Sequence, residues 1–121
     1  MKNVIIIEDD HGILESLMDL LSHFDMQTHG ADNGEDGLRL IKLAPRPAVV
    51  LLDIRMPGMD GIRVLEEILK IKDSGLDVIL MTADNPQNYS KLMDAGCTVI
   101  GKPFDLERME NAIESKLAKL A

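Results

Sequence analysis

Three short runs of apolar residues constrain this chain more than anything else in it. Residues 4–7 (VIII), 48–52 (AVVLL) and 78–81 (VILM) carry no polar side chain. A strand with one wet face alternates apolar and polar residues, so a run without alternation is one buried on both faces. Stretches with helical spacing separate these runs. Ile13, Leu14, Leu17, Leu20, Leu21 and Phe24 follow the first. Ile62, Leu65, Ile68 and Leu69 follow the second, in a helix predicted from Gly61 to about Lys72. Leu106, Met109, Ile113, Leu117 and Leu120 form a last stripe.

Two weaker strands complete the pattern, at 26–29 and 98–100. Asn33 is placed to cap a helix through Leu43, and "APRP" ends that helix, because proline disfavours helix before it and cannot donate within one. Pro86 can open a helix carrying Tyr89, Leu92 and Met93, with Gly96 as its C-terminal cap. Five strand–helix units in alternation imply a parallel sheet covered on both faces. The three continuous runs belong in the centre and the two weaker strands at the edges. The predicted architecture is a flavodoxin-like, doubly wound (βα)5 α/β sandwich with strand order 2-1-3-4-5. The 121 residues suit one domain, 1–121, with no effector domain.

Charge and cysteine content narrow the function classes. A net charge of −8 argues against nucleic acid as a direct partner of this chain and against anionic membranes. The lone Cys97 excludes an internal disulfide and reads as a small buried hydrophobe, so a reducing, cytoplasmic setting is expected. No run of 18 apolar residues offers a membrane span.

Sheets of this order bind ligands beyond the carboxyl ends of the strands, where the strand order reverses. That point lies between strands 1 and 3. Strand 1 ends in Glu8, Asp9 and Asp10, strand 3 in Asp53 and strand 4 in Thr82, while strand 5 leads to Lys102. Crowded carboxylates repel, and a hard divalent cation relieves the repulsion. Oxygen ligands without clustered His or Cys point to Mg²⁺, with Mn²⁺ possible. Thr82 and Lys102 then suit phosphoryl oxygens, as a donor and a point charge. A carboxylate beside a cation and an ammonium can attack phosphorus. Glu8 reads as a solvated or capping acid, and His11, His23 and His29 are scattered without partner spacing. A flavodoxin-like small-molecule binder would want a Gly- or Ser-rich phosphate loop after strand 1, where "EDDHGI" supplies acids. A phosphatase with its nucleophile on strand 1 would want two Asp separated by one residue there, which Glu8-Asp9-Asp10 does not provide.

"IIIEDD", "VVLLDIRMPGMDG", "VILMTA" and "GKPF", in that order, resemble the response-regulator receiver domain of two-component signalling, the chemotaxis-regulator-like fold, over the whole chain. The resemblance implies that Asp53 accepts a phosphoryl group from a phosphohistidine of a sensor histidine kinase or phosphotransfer protein. It implies that Asp10, Asp53 and the backbone carbonyl of Arg55 bind Mg²⁺ directly and Asp9 through water. Thr82 and Lys102 would hold phosphoryl oxygens, Ala83 would leave room for the group, Pro57 and Gly61 would shape the loop after the nucleophile, and the Lys102–Pro103 peptide would be cis. Such a domain catalyses its own phosphorylation and dephosphorylation and switches a surface toward an output protein. A phosphorelay shuttle and a degenerate binding scaffold are the alternatives. Two departures concern output: Val99 stands where the family often has Tyr or Phe, and the 82–102 stretch is one or two residues short. Arg55 and Asp84, each two residues past a strand-end site residue, are expected to leave adjacent loops on one rim, where they either form a bridge or stay solvated and apart.

Overall fold

The computed structural model describes residues 2–56, 60–71, 73–103 and 105–120. Strands β1 (Lys2–Ile7), β2 (Met26–Ala31), β3 (Ala48–Asp53), β4 (Leu76–Thr82) and β5 (Thr98–Gly101) form one sheet in the order 2-1-3-4-5, all parallel. Helices α1 (His11–Ser22), α2 (Gly34–Leu43), α3 (Gly61–Ile71), α4 (Ser90–Asp94) and α5 (Leu106–Leu120) connect and cover it. The order follows from burial. Every residue of β3 is buried, whereas β2, at the edge, exposes Gln27 and Gly30. Register sets Ile7 opposite Leu52 and Asp53 opposite Met81, so the strands that carry polar ends finish nearly level.

Side-chain alternation divides the core into two layers. Val4, Ile6, Val49, Leu51 and Met81 pack with Leu17 and Leu21 of α1 and Met109, Ile113 and Leu117 of α5. Ile5, Ile7, Val50, Leu52 and Val99 pack with Ile41 of α2 and Val64, Leu65 and Ile68 of α3. The core is aliphatic throughout. Asn33 caps α2 as expected, its side chain accepting from the Asp36 N–H. At the other end of α2, the Arg46 guanidinium donates to the Ile41 and Ala44 carbonyls and pairs with Asp73, satisfying acceptors that the helix leaves open.

Several expectations need correction. Phe24 does not share the buried face of α1: the helix stops at Ser22, Asp25 turns the chain at φ 61°, and Phe24 is left 40% exposed. Leu69 and Leu106 are likewise exposed, Leu106 because it opens α5 at the rim. The single helix expected after Pro86 is split. Pro86–Tyr89 is a 3-10 turn capped by the Asn85 side chain, and α4 has only five residues, none of them buried. Gly96 does end α4, with φ 98° and its N–H on the Met93 carbonyl. The Lys102–Pro103 peptide is cis, as is Arg46–Pro47. Lys72, Pro57 and Phe104 of "GKPF" lie outside the described residues.

Gly61 holds the start of α3 against the end of β3. Its N–H donates to the Ile54 carbonyl at 2.7 Å. A Cβ there would collide with the Asp53 carbonyl oxygen and lie 2.5 Å from Ile54 Cα. The obstruction is backbone, so it cannot swing away. Gly61→Ala should therefore cost about 1–3 kcal/mol in urea unfolding; an unchanged midpoint would show that this close approach is not needed.

Candidate functional site

The carboxyl ends of β1, β3 and β4 and the residue after β5 meet at one rim. The site is built from short backbone links: the Glu8 N–H donates to Ala31, the Ile54 N–H to Met81 and the Lys102 N–H to Thr82. Each bond continues the ladder one step past a strand and fixes the side chain beside it.

Asp53 is buried at 5% exposure, and Glu8 and Thr82 are buried with it. Lys102 forms an ion pair with the Glu8 carboxylate, and its ammonium lies 3.5 Å from Asp53 Oδ2. Asp53 Oδ1 accepts from the Arg55 N–H at 3.3 Å. One carboxylate oxygen from each of Glu8, Asp9 and Asp53 lies within 4.8 Å of the others. Burial pushes the Asp53 carboxyl up to about 7, helped by its hydrogen bond and charge contact with Glu8, while Lys102 and the Arg55 N–H pull it down. Three clustered carboxylates thus have one ammonium, which pairs with two of them. The donor set is all oxygen, anionic and short of positive charge, which fits a hard divalent cation such as Mg²⁺.

Sequence reasoning placed Asp9, Asp53, Thr82 and Lys102 at this rim, and the structure brings them there. It positions two neighbours otherwise than expected. Asp10 does not join the acid cluster. It is exposed and caps α1, its Oδ1 accepting from the Ile13 N–H at 3.1 Å. Glu8, read from sequence as solvated or capping, is instead the buried member paired with Lys102. A signal for this was present: α1 needs an N-terminal cap directly before His11, and Asp10 is the acid at that position. Once Asp10 caps, Glu8 and Asp9 remain for the site. Ala83 is exposed beside Thr82. Of the two arrangements open to Arg55 and Asp84 the bridged one forms, with Arg55 Nη2 2.9 Å from Asp84 Oδ2.

The chain matches the family model described as the response regulator receiver domain over residues 4–114. It is 34% identical over 120 residues to sporulation initiation phosphotransferase F of Bacillus subtilis, covering 96% of this chain and 94% of that protein. It is 40% identical over 115 residues to the probable C4-dicarboxylate response regulator DctR of Bacillus subtilis, covering 92% of this chain and half of that longer protein. Among solved structures, the response regulator protein TrrA of Thermotoga maritima, in complex with Mg(2+)-BeF, superposes with a TM-score of 0.84 at 29% identity, over 97% of this chain and all of that one. A CheY-like receiver domain protein from Methanospirillum hungatei superposes at 0.82 with 28% identity, over 98% and 96% of the two chains. Among the described residues, no helix is long and apolar enough to cross a membrane.

Two outcomes follow from the acid cluster. Asp53 binds its proton up to about pH 7, whereas an unfolded aspartate releases it near 4. Between those values the native state binds more protons, so metal-free stability should fall as pH rises through about 4 to 7. Asp53→Asn should remove that fall. Millimolar Mg²⁺ should restore stability, by roughly 1.4 kcal/mol at ten times its dissociation constant. Asp9→Asn should abolish the gain. Asp10→Ala should instead cost about 0.5–2 kcal/mol as a lost cap and leave the Mg²⁺ response intact. Thermal melts with and without Mg²⁺ decide it.

Proposed function

The chain belongs to the response regulator receiver domain family of two-component signalling, and on that premise we propose that Asp53 is its phosphoacceptor and that Glu8, Asp9, Thr82 and Lys102 serve the transfer. The observation that carries the reading is a buried carboxylate at the end of β3, 3.5 Å from an ammonium and clustered with two further acids.

The donor is a phosphohistidine on a sensor kinase or phosphotransfer protein. One Asp53 oxygen attacks phosphorus, a P–O bond forms, the P–N bond breaks, and the electron pair leaves with the imidazole. Asp9 and Asp53, with Glu8 close by and the Arg55 carbonyl added by family resemblance, would hold Mg²⁺; Mn²⁺ suits the same oxygens. When bound, the cation supplies charge neutralisation for the acids and the phosphoryl oxygens. Lys102 is held at the site by Glu8, which keeps its ammonium beside Asp53 without a search through rotamers. Thr82 brings a buried hydroxyl donor to the incoming phosphoryl oxygens. Asp53, held as an acid up to about pH 7 in the metal-free site, must shed its proton before it attacks.

The end-to-end likeness to sporulation initiation phosphotransferase F, at 34% identity, favours a second reading, in which Asp53 passes the phosphoryl group onward as a phosphorelay shuttle. Incubation of the phosphorylated chain with a histidine phosphotransfer protein, followed by label on the histidine, separates shuttle from terminal receiver.

Acetyl phosphate with Mg²⁺ should add one phosphoryl group by intact mass, and Asp53→Asn should take none. Thr82→Ala should slow transfer by about 10²–10³-fold, as loss of one positioned donor does. A wild-type chain that stays unmodified while correctly folded would leave a scaffold.

The Arg55–Asp84 pair spans the mouth of the site, with the Arg55 side chain 77% exposed. It obstructs the approach of hydrolytic water, but an exposed pair is weak, so its removal should shorten the aspartyl phosphate lifetime by at most about fivefold. Decay rates of Arg55→Ala, Asp84→Ala and the double variant check this. Effects that simply add would show that the two side chains act separately.

A further inference from the structure

Val99 is buried in the core layer beneath α4 and has no polar atom, so it cannot report on the site through a hydrogen bond. A different chain of contacts runs from the site to α4. Thr82 Oγ1 accepts from the Asp84 N–H at 3.0 Å. Asp84 Oδ2 accepts from the Tyr89 hydroxyl at 3.0 Å and pairs with Arg55 through the same oxygen. Tyr89 closes the 3-10 turn and stands at the cap position of α4, where it makes no side-chain capping bond. Its ring packs on the cluster that contains Leu80 and Val99. The two links from Thr82 to Asp84 and from Asp84 to Tyr89 are consecutive, and each is a single hydrogen bond.

We propose that the Thr82–Asp84–Tyr89 chain is this protein's output relay, with Tyr89 the positioning residue that ties the start of α4 to the state of Asp53. The proposal rests on Asp53 being the phosphoacceptor. Phosphorylation turns the Asp53 carboxylate into an acyl phosphate, which brings about one further negative charge and strong acceptor oxygens. The Thr82 hydroxyl turns to donate to it, which weakens the grip of Oγ1 on the Asp84 N–H. The new charge also repels the Asp84 carboxylate. Of the two partners on Asp84 Oδ2, Arg55 is held by full opposite charge and moves with it, giving up its own contact with the Tyr89 hydroxyl, whereas Tyr89 is anchored by its packed ring and stays. The Tyr89–Asp84 bond is therefore the one that breaks. The consequence is large for α4 because little else secures it: the helix is five residues long, buries none of them, and otherwise rests on partly buried Leu92. Short helices depend on tertiary contacts, and the loosest elements are the ones that switch.

Tyr89 is the only tyrosine and the chain has no tryptophan, so intrinsic emission reports this one hydroxyl. A carboxylate acceptor quenches tyrosine emission. The full chain is treated with Mg²⁺ and acetyl phosphate, and intact mass, emission and amide shifts are read together. The relay requires that emission rise as the phosphorylated mass appears, and that amides of residues 90–94 shift. Tyr89→Phe keeps the ring and removes the hydroxyl. It should be phosphorylated to the same extent and shift at residues 82–84 but lose the shifts at 90–94. A phosphorylated wild type with unchanged emission overturns the relay even if the variant misfolds, and so does a folded Tyr89→Phe with undiminished shifts at 90–94. Absence of any phosphorylated mass is a different failure: it removes the phosphoacceptor reading, and the relay with it.

Discussion

One ammonium held among three carboxylates sets the terms for the rest of this molecule. Lys102 reaches Glu8 and Asp53 from the far side of β4, and Asp9 closes the group. The arrangement works only if β1, β3 and β5 end at the same level, because each contributes a short link to it. The parallel register does that, with Ile7 opposite Leu52 and Thr82 opposite Gly101. Glu8 is almost wholly buried, so loss of Lys102 would strand a charge in the interior, a situation that is strongly unfavourable. The pair therefore couples the edge strand β5 to the central strand β1 through chemistry rather than through the ladder.

The balance is incomplete, and the incompleteness is functional. Asp53 is raised toward neutrality by burial and by Glu8, which means the metal-free fold carries a carboxylate it cannot comfortably ionise. A site with unspent electrostatic repulsion is a site that gains by taking up a cation. Sites that bind and react commonly sit at such points, where local stability has been given up. Around it the fold is ordinary: an aliphatic core in two layers, short caps, and a backbone contact at Gly61 that fixes where the loop after Asp53 begins.

Stability is also uneven away from the site. The α1 and α5 layer is anchored by Leu17, Leu21, Met109, Ile113 and Leu117, and α2 and α3 contribute four more buried aliphatic side chains on the other face, Ile41, Val64, Leu65 and Ile68. By contrast α4 rests on partly buried Tyr89 and Leu92. The face of the molecule with least packing is thus the one wired by hydrogen bonds to Thr82, which is where a change at Asp53 meets least resistance.

The sequence alone determined the sheet. Unbroken apolar runs at 4–7, 48–52 and 78–81 have no stable place except the middle of a parallel sheet, and that order in turn dictates which strand ends meet. Asp53, Thr82 and Lys102 were legible for that reason, as was the placing of Arg55 and Asp84 on adjacent loops of one rim. What the strand pattern could not decide, and only the helix cap could, was which two of three consecutive acids face the site. Adjacent residues past a strand end point in different directions, and the choice was made by α1, whose first turn takes Asp10 as its cap and leaves Glu8 to Lys102. The end of α1 before Phe24 and the splitting of the fourth helix were hidden for a related reason. Both depend on where the chain must turn to reach the next strand, through Asp25 and through Asn85-Pro86, and helical spacing carries no record of that. Periodicity reports which face a residue shares; only the packed chain decides where that face stops.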